Sequence, residues 1–195
     1  MPQTRSHHRP RDRSVECELK FRVKGPRDHA RLRADLRKRG ARLEGKYDEE
    51  NYRFDGPGKS TRQTTLRLRV LSGGPRGVLT VKGPAKFVGA VKVREETETE
   101  VKDAHATLDL LTELGFGVAF TYNKHRAMWT LDGNVTVTLD TLDCGWFVEL
   151  EGPLEVLPEQ ARSLGFNPGK ALKDSYSVLA RKHLAKTKQA PQAQN

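Results

Sequence analysis

The sequence predicts an α+β fold, in which about eight β-strands form an antiparallel sheet and helices pack against one of its faces. The main observation is a strict alternation of apolar and charged residues. The segment VECELKFRV at 15–23 has apolar side chains at every odd position and charged ones at every even position. A period of two residues indicates a strand with one apolar and one charged face. The second observation is that the longer gaps between such segments carry helix signals.

The same alternation recurs along the chain and supplies the remaining strands. A weaker strand is predicted at 51–55, and turn signals such as SGGPRG at 72–77 and DCG at 143–145 separate neighbouring strands. The clear strands are TLRLRV at 65–70, LTVKG at 79–83, VKVREETETEV at 91–101, TYNKHRAMW at 121–129, NVTVTLD at 134–140 and WFVELEG at 146–152.

Helices are predicted in the gaps that are long enough to hold them. Gly40 and Gly115 are suitable stops for the first two, and Asp103 is a suitable N-cap for the second. The predicted extents are 26–39, 103–114, a short stretch after 158, and about 173–184.

The chain has 195 residues, which is enough for one domain with a real core, and its net charge is +10. Much of that charge is terminal, because residues 1–13 carry +3 and residues 181–195 carry +4. The body is close to neutral, which argues against a specific nucleic-acid surface. We expect a disordered basic tail at 1–13, one domain at 14–184 and a disordered tail at 185–195.

The sequence also restricts the cellular compartment. No segment reaches the roughly 18 apolar residues of a membrane span, and the first residues lack the apolar centre of a secretion signal. Cys17 and Cys144 form neither a metal motif nor a disulfide framework. These features predict a cytoplasmic protein without membrane contact, and a homodimer formed through outer residues is compatible with them.

The charged strand faces allow two arrangements. An open sheet would expose them to water, as antiparallel sheets usually do. A closed sheet with its apolar face against the helices would enclose them in a wet tunnel. Enclosed cations and carboxylates need ligands, and a polyphosphate bound with Mg²⁺ or Mn²⁺ suits both. The cations are Arg22, Arg67, Arg69, Lys82, Lys92, Arg94, Lys124 and Arg126; the carboxylates are Glu16, Glu18, Asp140, Glu149 and Glu151.

Several motifs resemble, in chain order, those of a known family. They are ECELK at 16–20, LRLR at 66–69, LTVKGP at 79–84, VKVREETETEV at 91–101, ELGF at 113–116, KHR at 124–126, TLD at 138–140 and FVELEG at 147–152. The set resembles the CYTH superfamily of triphosphate tunnel metalloenzymes. The resemblance implies a closed eight-stranded antiparallel β-barrel with helices packed outside, whose charged interior is the triphosphate tunnel.

The resemblance also implies roles for individual residues. Glu16, Glu18, Glu149 and Glu151 match metal positions, and Asp140 is a further metal candidate with a turn role as the alternative. Lys20 is expected to act in catalysis together with Glu16 and Glu18. The triphosphate is expected to contact Lys20, Arg67, Arg69, Lys82, Lys92, Arg94, Lys124 and Arg126.

Four further residues have weaker assignments. Glu96 and Glu98 are candidates for binding metal or orienting the substrate, or they end a solvated strand. Lys173 and Tyr176 lie on the predicted last helix and resemble a K-x-S-Y element that closes one tunnel mouth. Surface positions on that helix are the alternative.

Within the superfamily, LTVKGP, REE, ELGF and WFVELEG are most similar to the class IV adenylate cyclases, which convert ATP to cyclic AMP and pyrophosphate. The segment YDEENYRFD at 47–55 departs from the cyclase pattern, with Asp48 and Glu50 in its polar positions and Arg53 inserted. An inorganic tripolyphosphatase or thiamine triphosphatase is the alternative enzyme. A noncatalytic polyphosphate or RNA-binding module is the alternative from another class, although aromatic residues make up only 7% of the chain, too few for a base-stacking surface.

Overall fold

The computed structural model describes residues 14–56, 64–132 and 134–189. The strands are β1 Ser14–Val23, β2 Arg42–Asp55, β3 Thr65–Leu71, β4 Gly77–Lys82, β5 Lys86–Val88, β6 Val91–Val101, β7 Gly117–Leu131, β8 Val135–Leu142 and β9 Gly145–Glu151. The helices are α1 Pro26–Lys38, α2 Ala104–Glu113, α3 Leu157–Ser163 and α4 Tyr176–Gln189. The basic tail predicted at 1–13 lies outside the described residues.

The sheet closes on itself, as predicted. Its strands follow the order β1, β9, β8, β7, β2, β3, β4, β6, and an additional pairing of β1 with β6 completes an eight-stranded antiparallel barrel. The short strand β5 was not predicted; it pairs with β6 alongside the barrel. Closure leaves the eight barrel strands without a free edge, so each strand has one face inside and one outside.

The outward apolar face forms the main core. On β1, β8 and β9 the outward residues Leu19, Val137 and Leu150 are at most 1% exposed and pack with α1 and α3. A separate cluster around Phe54 and Leu68 packs beneath α2. Each such fully buried side chain contributes roughly 1.5–3 kcal/mol relative to an exposed one. The helices therefore hold the barrel from outside and leave its charged face for the interior.

Local signals explain where the first two helices begin and end. Pro26 stands in the first turn of α1, where its missing N–H costs nothing, and Gly40 follows with φ of +77°. The side chain of Asp103 accepts a hydrogen bond from the backbone N–H of Ala106 and caps α2, as predicted. No described helix is long and apolar enough to cross a membrane.

Helix α4 differs from the other three helices in what it packs against. It contacts Leu142 and Phe147 together with Phe120 and Tyr122 of β7, so it covers one end of the barrel. It begins at Tyr176, three residues later than predicted, and continues to Gln189. Residues 185–189, predicted as tail, are therefore helical, and 190–195 lie outside the described residues.

Candidate functional site: a charged tunnel through the barrel

The barrel interior forms a cavity of about 540 Å³. Strand register places the predicted charged positions of neighbouring strands side by side, for example Glu18 opposite Lys92 and Lys20 opposite Glu149. The cavity brings together twelve of the predicted site residues: Glu16, Glu18, Lys20, Arg67, Arg69, Lys82, Lys92, Arg94, Lys124, Arg126, Glu149 and Glu151. The weaker candidates Glu96 and Glu98 also line it.

Three carboxylates converge at one side of this cavity. Oxygens of Glu16, Glu18 and Glu151 all lie within 4.8 Å of one another. Glu16 and Glu18 come from one strand, β1, because residues two apart share a strand face. Glu151 comes from the neighbouring β9, where it is paired in register with Glu18. Closure of the sheet therefore builds a ligand set that no single segment contains.

The three carboxylates differ in how well they are neutralised. Both oxygens of Glu16 accept hydrogen bonds from Lys82 Nζ at 2.7 Å, and Glu18 accepts one from Lys92 Nζ at 2.7 Å. Glu151 receives no hydrogen bond and forms no ion pair within 14–56, 64–132 and 134–189. Burial, together with the nearby Glu149 and Glu16, raises the pKa of Glu151 to about 7. This corner of the tunnel is short of positive charge.

These residues fit a divalent cation. Mg²⁺ prefers a small number of carboxylate oxygens together with waters and phosphate oxygens, and the Glu16, Glu18 and Glu151 side chains supply that donor chemistry. Arg126 and Lys82 offset the charge of Glu151 only partly, from beyond ion-pair distance, so a cation here would relieve an unfavourable buried charge. Glu16, Glu18 and Glu151 are the residues that would hold it.

A second ionic network lies deeper, beside α4. Glu149 forms ion pairs with Lys20 Nζ at 2.9 Å and with Arg126 Nη2 at 2.6 Å. Burial opposes ionisation of Glu149, but Lys20 and Arg126 outweigh it and hold the pKa of Glu149 well below its usual range. Glu149 is therefore already saturated by cations.

Asp140 belongs to this deeper network and does not line the cavity. Its two oxygens accept a bidentate pair from Arg126 at 2.8 and 2.7 Å, and the Tyr176 hydroxyl donates to the same carboxylate at 2.8 Å. Burial and the Asp140 charge raise the pKa of Tyr176 well above its usual value, so the hydroxyl stays a donor. The contacts of Asp140 are those of a residue that orients Arg126, and its predicted role as a metal ligand has no free oxygen to support it.

The opposite wall of the tunnel is cationic. Lys124 Nζ lies 3.0 Å from Glu49, and Arg69 lies 3.6 Å from the same carboxylate. Burial and the nearby Arg126 lower the pKa of Lys124 to about 8, even though Glu49 partly compensates. Burial by itself would raise the pKa of Glu49, but Lys124 and Arg69 outweigh this effect and lower the pKa to about 2. The wall therefore carries more positive than negative charge and attracts an anion.

The sequence predicted only the end of β2, at 51–55, and assigned no inward face to it, although Asp48 and Glu50 occupy the polar positions of the cyclase-like run. The strand spans Arg42–Asp55. Its inward residues are Glu49, Asn51 and Arg53, which pair in register with inward residues of β3 and β7. Asp48 instead faces outward and pairs with His125 on the outer face of β7. The segment has polar residues on both faces, so alternation alone could not fix which set points inward. Phe54, buried in the outer cluster, was the available signal.

The predicted closing element is partly in place. Ser175, Tyr176 and Ser177, at the start of α4, line the cavity. Lys173 precedes the helix and places its ammonium over the Phe87 ring of β5, outside the tunnel lining. Arg22, proposed for the anion-binding set, donates to the Cys144 carbonyl oxygen and also does not line the cavity.

Comparison with known proteins agrees with this geometry. The profile of the CYTH domain family matches residues 14–162 of the chain. The PH1819 protein of Pyrococcus horikoshii OT3 is 27% identical, with a TM-score of 0.71 and coverage of 86% of this chain and 99% of its own. A search of curated proteins finds no significant match.

Two more distant structures share the fold. A candidate adenylate cyclase from Vibrio parahaemolyticus is 20% identical, with a TM-score of 0.73 and coverage of 86% of this chain and 98% of its own. The candidate adenylyl cyclase HpAC1 from Hippeastrum, which has a dominant triphosphatase activity, is 18% identical, with a TM-score of 0.68 and coverage of 86% and 96%. At these identities the likeness concerns the fold alone.

Proposed function

Because the chain belongs to the CYTH domain family, we propose that it is a metal-dependent enzyme that hydrolyses a triphosphate inside the tunnel. One observation carries the proposal: three convergent carboxylates share a single cavity with a wall of lysines and arginines. Carboxylates and cations in one enclosed space match a ligand that combines a divalent cation with several phosphate charges. A smaller or less charged ligand would not engage both the carboxylates and the cationic wall.

The chain's own residues supply binding and charge stabilisation. A divalent cation held by Glu16, Glu18 and Glu151 would polarise a phosphoryl oxygen and lower the pKa of a nucleophile. Arg67, Arg69, Lys124 and Arg126 are placed to neutralise the phosphate oxygens as charge spreads over them in the transition state. Lys20 is held in position by Glu149 and Glu18, at 2.9 and 3.7 Å. The tunnel thus provides positioning and electrostatics, the two main contributions to phosphoryl transfer.

Hydrolysis is favoured because the tunnel lining is ionic on almost every strand. Water can serve as the nucleophile without any further recognition site. The apolar and aromatic lining residues are few. Two of them are engaged by the protein itself: Tyr122 packs against the cluster that includes Tyr176 of α4, and Lys20 Nζ stands 4.3 Å from the Tyr176 ring centre. The described lining therefore offers little surface for stacking a nucleobase.

Conversion of ATP to cyclic AMP and pyrophosphate is the second candidate. The cavity volume of about 540 Å³ favours it, because pockets of roughly 300–1,000 Å³ accommodate ligands of nucleotide size. The same carboxylates and cations would serve, with the ribose 3′-hydroxyl as nucleophile in place of water. The motifs that resemble class IV cyclases also support this candidate.

Product analysis separates the two reactions. The purified protein is incubated with Mg²⁺ or Mn²⁺ and either tripolyphosphate or ATP, and products are resolved by phosphorus NMR. Phosphate release from tripolyphosphate supports hydrolysis, whereas cyclic AMP with pyrophosphate supports the cyclase. Tight binding without product would contradict both and favour a noncatalytic polyphosphate-binding module.

A double variant tests the metal assignment. Glu16→Ala with Glu18→Ala should abolish turnover of the triphosphate, because two of three carboxylates are lost. The matched control is Asp109→Ala with Glu113→Ala, which removes two exposed carboxylates from α2. Unchanged turnover in the tunnel variant would refute the assignment.

The cytoplasmic location and a homodimer formed through outer residues stay predictions of the sequence. Sedimentation of the purified protein tests the second.

A further inference from the structure

Two arginines stand directly opposite each other on adjacent strands of the tunnel wall. Arg53 of β2 is paired in register with Arg67 of β3. Both face inward, because their neighbours Phe54 and Leu66 belong to the outer apolar cluster. Like charges directly opposite on a sheet are destabilising, so this pair needs a compensating negative charge.

The protein offers Arg67 only longer-range negative charge, from Glu49 and Glu96. Arg53 forms no ion pair within 14–56, 64–132 and 134–189. Arg67 Nη2 lies 4.0 Å from Glu98 and donates to Thr80 at 3.4 Å, contacts that are both at the limit of useful distance. The Nε atoms of Arg53 and Arg67 are buried without a hydrogen-bond partner. A buried donor without a partner is costly, and two on neighbouring residues point to a missing acceptor.

The position of this pair relative to the cavity limits what can bind there. Arg67 lines the tunnel together with Arg69 and Lys124, whereas Arg53 lies one strand further along and is not part of the lining. An anion that engages Arg53 must therefore extend past the group held by Arg67. Arginine forks bind phosphate oxygens with two parallel hydrogen bonds, which suits a phosphoryl group between the two guanidinium groups.

We propose that Arg53 and Arg67 form an additional anion subsite that binds a fourth phosphoryl group, so that the tunnel accepts linear inorganic phosphates longer than three units. The inference rests on the proposed function for the position of the first three phosphoryl groups. Arg53 is a specificity-determining residue in this scheme. It distinguishes chain lengths and contributes little to binding of the triphosphate itself.

Calorimetric titration with tripolyphosphate and tetrapolyphosphate tests this subsite. Arg53→Gln should weaken tetrapolyphosphate binding by at least about tenfold, the loss expected for a hydrogen bond to a charged group, and change tripolyphosphate binding by less than about twofold. Arg53→Lys, which keeps the charge but loses the fork, should lie between the two. The matched control Lys46→Gln removes an exposed cation from the outer face of the same strand and should change neither affinity.

The outcomes separate the two proposals. Wild-type protein that binds tripolyphosphate without cleaving it refutes the proposed function, yet the comparison of affinities still tests Arg53. If Arg53→Gln weakens the binding of both ligands equally, or of neither, the proposed subsite is wrong. A wild-type protein that binds neither ligand also overturns it. Circular dichroism checks that each variant is folded. If Arg53→Gln is not folded, the titrations with Arg53→Lys test the subsite in its place.

Discussion

Two glutamates on one strand, two residues apart and facing the same tunnel, are in opposite electrostatic situations. Glu149 contacts two cations, and its pKa lies well below the usual range. Glu151 contacts none among the described residues, and its pKa is raised to about 7. The same residue type in the same motif is thus structural at the deeper position and available to a ligand at the other. What differs is the surrounding strands: β1 and β7 bring Lys20 and Arg126 to Glu149, whereas β1 brings Glu16 and Glu18 to Glu151.

The largest effect is expected from Glu149→Gln. Removal of this charge leaves Lys20 and Arg126 buried with fewer partners, and breaking a buried ion pair typically costs several kcal/mol. We expect the free energy of unfolding to fall by about 3 kcal/mol in urea denaturation without metal. A loss below about 1 kcal/mol would mean that the deep network is not structural.

Glu151→Gln should show the reverse behaviour. Its turnover of triphosphate should fall by on the order of 100-fold, because a cation-binding oxygen is lost. Its stability without metal should stay within about 0.5 kcal/mol of wild type or rise, because an uncompensated charge is removed. Glu159→Gln, on the exposed side of α3, is the control for both measurements. Equal loss of stability in Glu149→Gln and Glu151→Gln would remove the distinction between the two positions.

The cationic wall should take up protons when an anion binds. The pKa of Lys124 is about 8, below its usual value of 10.5, so this group is partly neutral in the free protein at pH 8. A bound polyanion stabilises the charged form, and we expect uptake of about half a proton at that pH. Calorimetry in buffers of different ionisation enthalpy measures it.

Lys124→Met should abolish this proton uptake. Lys46→Met, which removes a cation from the outer face of the barrel, is the control and should leave the uptake unchanged. The same shift affects stability with a definite sign. Because the unfolded chain keeps this proton to higher pH, the penalty from Lys124 is present below pH 8 and is relieved as pH rises toward 10.5. Proton uptake that persists in Lys124→Met would assign it to another group.

The smallest effect is expected at the start of α4. Tyr176→Phe removes one hydrogen bond to Asp140, and such bonds contribute about 1 kcal/mol. Asp140 keeps its bidentate contact with Arg126, so turnover should change by less than about threefold. A large loss of turnover would show that Tyr176 contacts the substrate.

Much of the fold was predictable because strand alternation is a local property. Each strand from β1 to β9, except β2 and the short β5, shows its inward and outward sets without reference to any other segment. The pairs Glu16 and Glu18 on β1, and Glu149 and Glu151 on β9, follow from the same rule. The inward face of β2 could not be assigned in this way, since Asp48, Glu49 and Glu50 are consecutive carboxylates and offer no contrast between the faces.

The sequence by itself determined the barrel strands except the first part of β2, the charged character of their inner faces and the family. Only the tertiary structure decided which carboxylates meet cations, because partners such as Lys92 for Glu18 and Lys20 for Glu149 come from distant segments that strand pairing makes adjacent. It also decided that α4 covers one end of the tunnel and that Arg53 stands opposite Arg67. Alternation is set by backbone geometry within one strand, whereas charge pairing depends on register between strands, which no single segment encodes.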